Sequence, residues 1–146
     1  MQIHTSRFGP VSYEADDVME FPEGLLGLPG CHRWILLADS EDSALGWLQS
    51  VEREDAALAI VSPRRFVPDY QLRVARSDLA PLGTADVASA QVVAILGHNG
   101  RSLTLNLKAP LVLNLADRLG CQVVHRGDMP FQHELESPST PLRKTA

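Results

Sequence analysis

The chain has 146 residues, of which 45% are hydrophobic and 21% charged, the composition of one globular domain with a single core. Thirteen basic residues against 18 acidic ones leave a net charge of −5. That balance argues against direct nucleic-acid binding, which needs cations to displace phosphate counterions, and a basic protein partner is the better electrostatic match. No apolar run approaches the roughly 20 residues that a bilayer requires. Met1 to Arg7 holds no apolar signal core, so a cytoplasmic location is expected.

Apolar residues come in short runs separated by Gly, Pro, Asn and Asp, the spacing of an all-β barrel or sandwich. Gln2 to Phe8 alternates loosely and stops at Gly9-Pro10, so a hairpin with Val11-Ser12-Tyr13 is expected. Val18-Met19-Glu20-Phe21 reads as a third strand, ended by Pro22, which lacks the N–H a central ladder needs. The loop from Pro22 to Gly30 carries Leu25, Leu26 and Leu28, and its leucines are expected to fold over one end of the core. Arg33 to Ala38 is a continuous apolar run, as in a strand covered on both faces. An acidic turn, Asp39 to Ser43, leads to a pair of strands at Leu45–Val51 and Ala57–Ser62.

Pro63 and Pro68 bracket a basic-aromatic loop, after which Tyr70 to Ala75 alternates like a strand. Ser77-Asp78-Leu79-Ala80 is the best helix start: Ser77 can cap free N–H groups and Asp78 suits the positive end of the dipole. Pro81 and Gly83 keep that helix to a turn or two. Ala90–Leu96 and Leu103–Leu107 flank His98-Asn99-Gly100, where Asn-Gly suits a type I′ hairpin turn. Leu111–Leu115 and Gln122–His125 complete the strands, separated by Asp117-Arg118-Leu119-Gly120. The pattern fades after Gly127, so the expected organisation is one domain over residues 1–127 and a poorly ordered tail over 128–146.

Little here can carry catalysis. His4, His32, His98, His125 and His133 are scattered without metal-ligand spacing. Asp16-Asp17 and Glu52 to Asp55 read as solvated charges in turns rather than acid–base pairs. Gly24, Gly27 and Gly30 follow Pro22 instead of opening a helix, so no phosphate cradle is expected. Cys31 and Cys121 form no CxxC motif and are expected as buried free thiols. No cofactor, metal or catalytic residue is assigned. The alternative from the residues themselves is a small-molecule-binding β-barrel without catalytic activity.

The distinctive runs are packing and turn motifs. In Pro63 to Tyr70, Phe66, Asp69 and Tyr70 suit a turn with aromatics against the core, while Arg64 and Arg65 suit a surface role. Asn106 and Asn114 frame the Lys108-Ala109-Pro110 joint and are placed to satisfy loose backbone groups. Trp47 beside Leu48 reads as core, with Gln49 on the face opposite Leu48.

Four motifs in series carry a family resemblance: Phe21-Pro22-Glu23-Gly24-Leu25-Leu26-Gly27, Trp47-Leu48-Gln49-Ser50, Phe66-Val67-Pro68-Asp69-Tyr70, and Asn106 through Asn114. In order and spacing they resemble the flagellar assembly factor FliW family, over residues 1 to about 125. The resemblance implies a small β-barrel-like regulatory protein that is not an enzyme and is monomeric when free. It implies two partners, flagellin and the RNA-binding translational repressor CsrA, which compete for it. Partner-binding positions are expected in the motif loops: Gln49, Arg64, Arg65, Phe66, Asp69, Tyr70, Asn106 and Asn114. The segment from Arg126 onward departs from the family pattern.

Overall fold

The computed structural model describes residues 1–83 and 89–135. The chain opens with a two-stranded hairpin, β1 (Gln2–Thr5) and β2 (Gly9–Ser12). The body is a nine-stranded sheet of β3 (Val18–Glu20), β4 (Arg33–Ala38), β5 (Leu45–Ser50), β6 (Ala57–Val61), β7 (Gln91–His98), β8 (Leu103–Leu105), β9 (Leu111–Asn114), β10 (Leu119–Gln122) and β11 (His133–Glu134). β3 to β7 form an antiparallel meander. The sheet then closes on itself: β7 pairs β9, β9 pairs β10, and β10 meets β3 in parallel at Leu119 and Glu20. Seven strands therefore form a closed barrel, and β8 and β11 hang from it as a flap.

β7 makes the flap possible by serving two neighbours on one edge. Its first half, Gln91–Val93, pairs β9, and its second half, Leu96–His98, pairs β8. The chain must step from one half to the other between β8 and β9, and the Asn106–Pro110 joint is that step. The Asn106 N–H donates to Ile95 O at 3.0 Å, and its side-chain Oδ1 accepts the Ala109 N–H at 2.9 Å.

The barrel interior is filled by Met19, Phe21, Trp34, Leu48, Ile60, Val93, Leu111 and Leu113, with Cys31 among them. Two further apolar clusters lie outside the wall. One gathers Val61, Tyr70, Ala94, Leu105 and Leu107, with Met129 and Leu135 packed against it. The other gathers Leu79, Leu82, Val112, Cys121 and Val123 beneath a 3₁₀ helix, Arg76–Leu82. All four residues of β9 are buried because Leu111 and Leu113 face the barrel while Val112 faces that helix. Cys31 and Cys121 are buried free thiols in separate clusters. Burial and the nearby Glu23 and Asp78 carboxylates push the Cys121 thiol up to about 11.

Several expectations are corrected. Gly9 and Pro10 lie in β2; the turn is Ser6-Arg7-Phe8, where Thr5 Oγ1 accepts the Phe8 N–H at 2.9 Å. Leu25 is buried, whereas Leu26 is 64% exposed. Two adjacent leucines in a tight loop point apart, so one faces water. Tyr70 to Ala75 joins no ladder and is held by isolated bonds, among them Arg126 N–H to Arg73 O at 2.7 Å. Ser77 lies inside the 3₁₀ helix, and the capping contact is the Ala75 N–H donating to Asp78 Oδ2 at 2.9 Å. The 98–103 hairpin has a four-residue loop. Asn99 Oδ1 accepts the N–H groups of Arg101 and Ser102, and Gly100 takes the positive φ, +89°, without Asn99. Leu119 and Gly120 belong to β10 rather than to the preceding turn. Residues 128–135, expected as tail, run alongside the sheet: Pro130 O accepts from Leu107 and Lys108, and β11 pairs β8. The rest of that tail, 136–146, lies outside the described residues.

The closing seam depends on one close approach. A Cβ at Gly120 would stand 2.5 Å from two atoms of the Phe21 ring, itself fully buried. Gly120→Ala is expected to cost about 1–3 kcal/mol, as overpacking at a rigid contact does. Urea unfolding should show it as a lower midpoint at an unchanged slope.

Candidate interaction surface

The eight positions expected to meet partners separate into a buried set and an exposed set. Gln49 is fully buried on the outer face of β5. Its Nε2 donates to Ser50 O at 3.0 Å, Arg53 O at 3.3 Å and Glu54 O at 3.4 Å. The side chain thus binds the loop that curls back over it and presents nothing to a partner. Asn114 is buried too; its Nδ2 donates to Leu82 O and Asp117 Oδ2, both at 3.0 Å. It ties β9 to the 3₁₀ helix and closes the turn into β10. Asn106 is half-buried and engaged within its own joint.

Tyr70 is the anchor of the basic-aromatic loop. It is buried, its hydroxyl donates to Leu107 O at 2.8 Å, and its ring lies 5.6 Å from that of His125. Desolvation pushes its hydroxyl up to about 12, so it stays a donor at any physiological pH. His125 is buried as well, with Nε2 2.7 Å from Gln71 O and Nδ1 accepting the Gly127 N–H at 2.8 Å. The loop itself is compact: the Phe66 and Val67 N–H groups both donate to Pro63 O, and Arg64 Nε donates to Tyr70 O at 2.9 Å.

What this leaves exposed is a small patch of Arg64, Arg65, Phe66 and Asp69. Arg65 reaches Asp42 of the acidic turn at 3.1 Å and lies over the Phe66 ring at 5.6 Å. Phe66 is 37% exposed. The patch therefore combines an aromatic face, two guanidiniums and the Asp69 carboxylate, residue types that suit protein contacts. Beside it, the barrel mouth between β4, β5 and β7 holds an apolar concavity of about 550 Å³, with Leu36, Leu45, Ile60 and Leu113 in its wall.

The opposite side of β5 is covered by the N-terminal hairpin. Phe8 meets Trp47 edge-on at 5.5 Å, Arg7 lies 4.6 Å over the same indole, and the Ser6 N–H donates to Glu54 O. Trp47 Nε1 donates to Asp39 Oδ1 at 3.1 Å. That bond, with the N–H groups of Asp42 and Glu41, holds the Asp39 carboxyl below its ordinary 3.8.

Sequence reasoning missed a second exposed set: Leu26, Val124 and Phe131 are each more than half exposed. Val124 was hidden by its strand pattern, since Val123 and Val124 are equally apolar and only one can face the core. Among the described residues, no group of three or more His, Cys, Asp or Glu could hold a metal ion, and no helix is long and apolar enough to cross a membrane.

Comparison with known proteins covers nearly the whole described chain. The family model described as FliW protein matches residues 2–135. The flagellar assembly factor FliW of Natranaerobius thermophilus is 33% identical over 139 residues, 92% of each chain. That of Bdellovibrio bacteriovorus is 36% identical over 126 residues, 85% of this chain and 72% of its own. A crystal structure of the flagellar assembly factor FliW superposes with a TM-score of 0.83 at 23% identity, covering 94% of this chain and 99% of that one.

Two outcomes test the local assignments. Tyr70→Phe, which strips Leu107 O of its donor in a buried site, should lower stability by about 1–2 kcal/mol in urea titration. Because the Asp39 carboxyl is depressed in the folded state, its contribution is present above 3.8 and is lost as pH falls through the lowered folded value. Asp39→Asn should remove that part of the acid dependence, read from urea midpoints at a series of acidic pH values.

Proposed function

Since the chain belongs to the FliW family of flagellar assembly factors, we propose that it is a regulatory binding protein that couples the level of flagellin to its translation. Free flagellin occupies it; when flagellin is exported, the freed protein binds and antagonises the translational repressor CsrA, and repression of flagellin mRNA is lifted. The same binding shelters flagellin before export. The observation that carries this reading is the family match over residues 2–135, which takes in the barrel and its flap.

The physical character of the chain supports it. The net charge of −5 suits a basic RNA-binding partner. The interior positions of the barrel are occupied by large side chains, Trp34, Phe21, Met19 and Leu48. A ligand-binding barrel would need that volume, so binding falls to the outer surface and the barrel mouth. The switch needs no conformational machinery: it requires that flagellin and CsrA be negatively coupled on one protein, by overlap or otherwise.

Calorimetric titration of the purified protein with CsrA, repeated after saturation with flagellin, tests the proposal. Binding that flagellin abolishes is the expected result. Simultaneous, independent binding of both proteins would overturn the switch.

A further inference from the structure

β10 continues past its last ladder residue. The Val123 N–H donates to Pro110 O at 3.1 Å and the His125 N–H to Lys108 O at 2.7 Å. In an antiparallel pair such bonded positions alternate with positions whose N–H and C=O point to the other edge. Gln122 and Val124 are those positions. On that edge Leu119 is paired with Glu20 of β3, and beyond Val124 the Arg126 N–H donates to Arg73 O at 2.7 Å. Between them, among the described residues, neither backbone group of Val124 has a protein partner.

This short open edge faces a cleft of about 740 Å³, whose far wall is the 3₁₀ helix with Ser77, Ala80 and Pro81, and Glu23. Val124 is 51% exposed, and Leu26 is held alongside by its N–H donating to Gln122 Oε1 at 2.8 Å. The charges of the cleft are nearly all engaged. Arg126 pairs with Asp78 at 3.3 Å, and Lys108 Nζ donates to Gly127 O at 2.8 Å. Glu23 is the charged side chain for which the described residues supply no partner.

We propose that this cleft is a docking site for an extended segment of a partner protein, added as a strand along Gln122–Val124. An unpaired strand edge lined by apolar side chains is the geometry of strand addition, in which main-chain bonds give affinity and flanking side chains give specificity. The occupant carries an apolar residue opposite Val124, in contact with Leu26, and a basic residue toward Glu23. The inference rests on the partner-binding function proposed above and assigns it a surface.

The test uses the full chain with purified flagellin and purified CsrA as probes. Val124→Pro removes the free donor at an edge position where no ladder bond is lost, and Glu23→Lys reverses the unpaired charge on the surface. The expected result is that the Val124 amide becomes protected from hydrogen exchange in one complex, and that each variant binds that partner about tenfold more weakly at an unchanged melting temperature, a loss the size of one hydrogen bond or ion contact. Wild-type binding that neither variant weakens, with the Val124 amide still exchanging, overturns the docking site and leaves the functional reading intact. Self-association lost in Val124→Pro would put a second copy of the chain on the edge and overturn it as well. Failure of both probes to bind the wild-type chain overturns the functional reading, and this inference with it.

Discussion

Closure of the barrel rests on one narrow seam. β10 and β3 share a single parallel register pair, Leu119 with Glu20, reinforced by the Glu20 N–H donating to Arg118 O at 2.9 Å. Everything nearby serves that contact. Arg118 takes a positive φ of 56° to turn the chain, Asn114 and Asp117 hold the turn from below, and Gly120 leaves room for the Phe21 ring. Parallel pairing across one residue contributes little by itself. Its importance is geometric, since without it the sheet would present two long unpaired edges, each a template for aggregation.

A closed wall of short strands makes the interior small, and the chain builds its remaining stability outside. The 3₁₀ helix covers Val112, Cys121 and Val123, while Tyr70 of the basic-aromatic loop and Leu105 of the flap pack with Val61 and Ala94 of the wall. The N-terminal hairpin covers Trp47. Strand β9 is therefore buried on both faces, although the sheet is mostly antiparallel and could have left one face wet; in β4 only Trp34 and Ile35 are buried. This layered arrangement consumes most of the apolar surface. Exposed apolar surface is found where layers stop, as at the patch around Phe66, the barrel mouth, and the cleft beside Val124.

That distribution is compatible with the binding role proposed above. Under that function, overlap of two partners on one of these surfaces, or repulsion between them, would suffice for mutual exclusion. The acidic surplus lies in loops such as Asp39–Ser43 and Glu52–Asp55, where several carboxylates are already engaged by local N–H groups or arginines. Surface ion pairs of this sort add little to stability. They leave a net negative field that favours a basic partner at long range.

Local pattern in the sequence by itself carried the all-β class, the approximate positions of β1 and of β3 to β9, the acidic turn at residues 39–43, and the family; it displaced β10 by three residues and missed β11. What it carried depends on alternation and on turn residues, which act over a few positions. It gave Asn106, Asn114 and Tyr70 two readings, as groups that satisfy the local backbone or close the core and, through the family resemblance, as partner-binding positions; in the fold all three are engaged internally. It misjudged Tyr70–Ala75, where alternation exists without a neighbouring strand to pair, and it offered Gln49 as a contact although a loop covers it. Tertiary structure alone decided the closure of the barrel, the double pairing of β7, and which of Leu25 and Leu26, or of Val123 and Val124, faces water. Those outcomes arise from contacts between segments up to about a hundred residues apart in sequence, such as Gly120 against Phe21. A one-dimensional pattern records that a residue is apolar, but which neighbour covers it is settled only when the sheet curls and its edges meet.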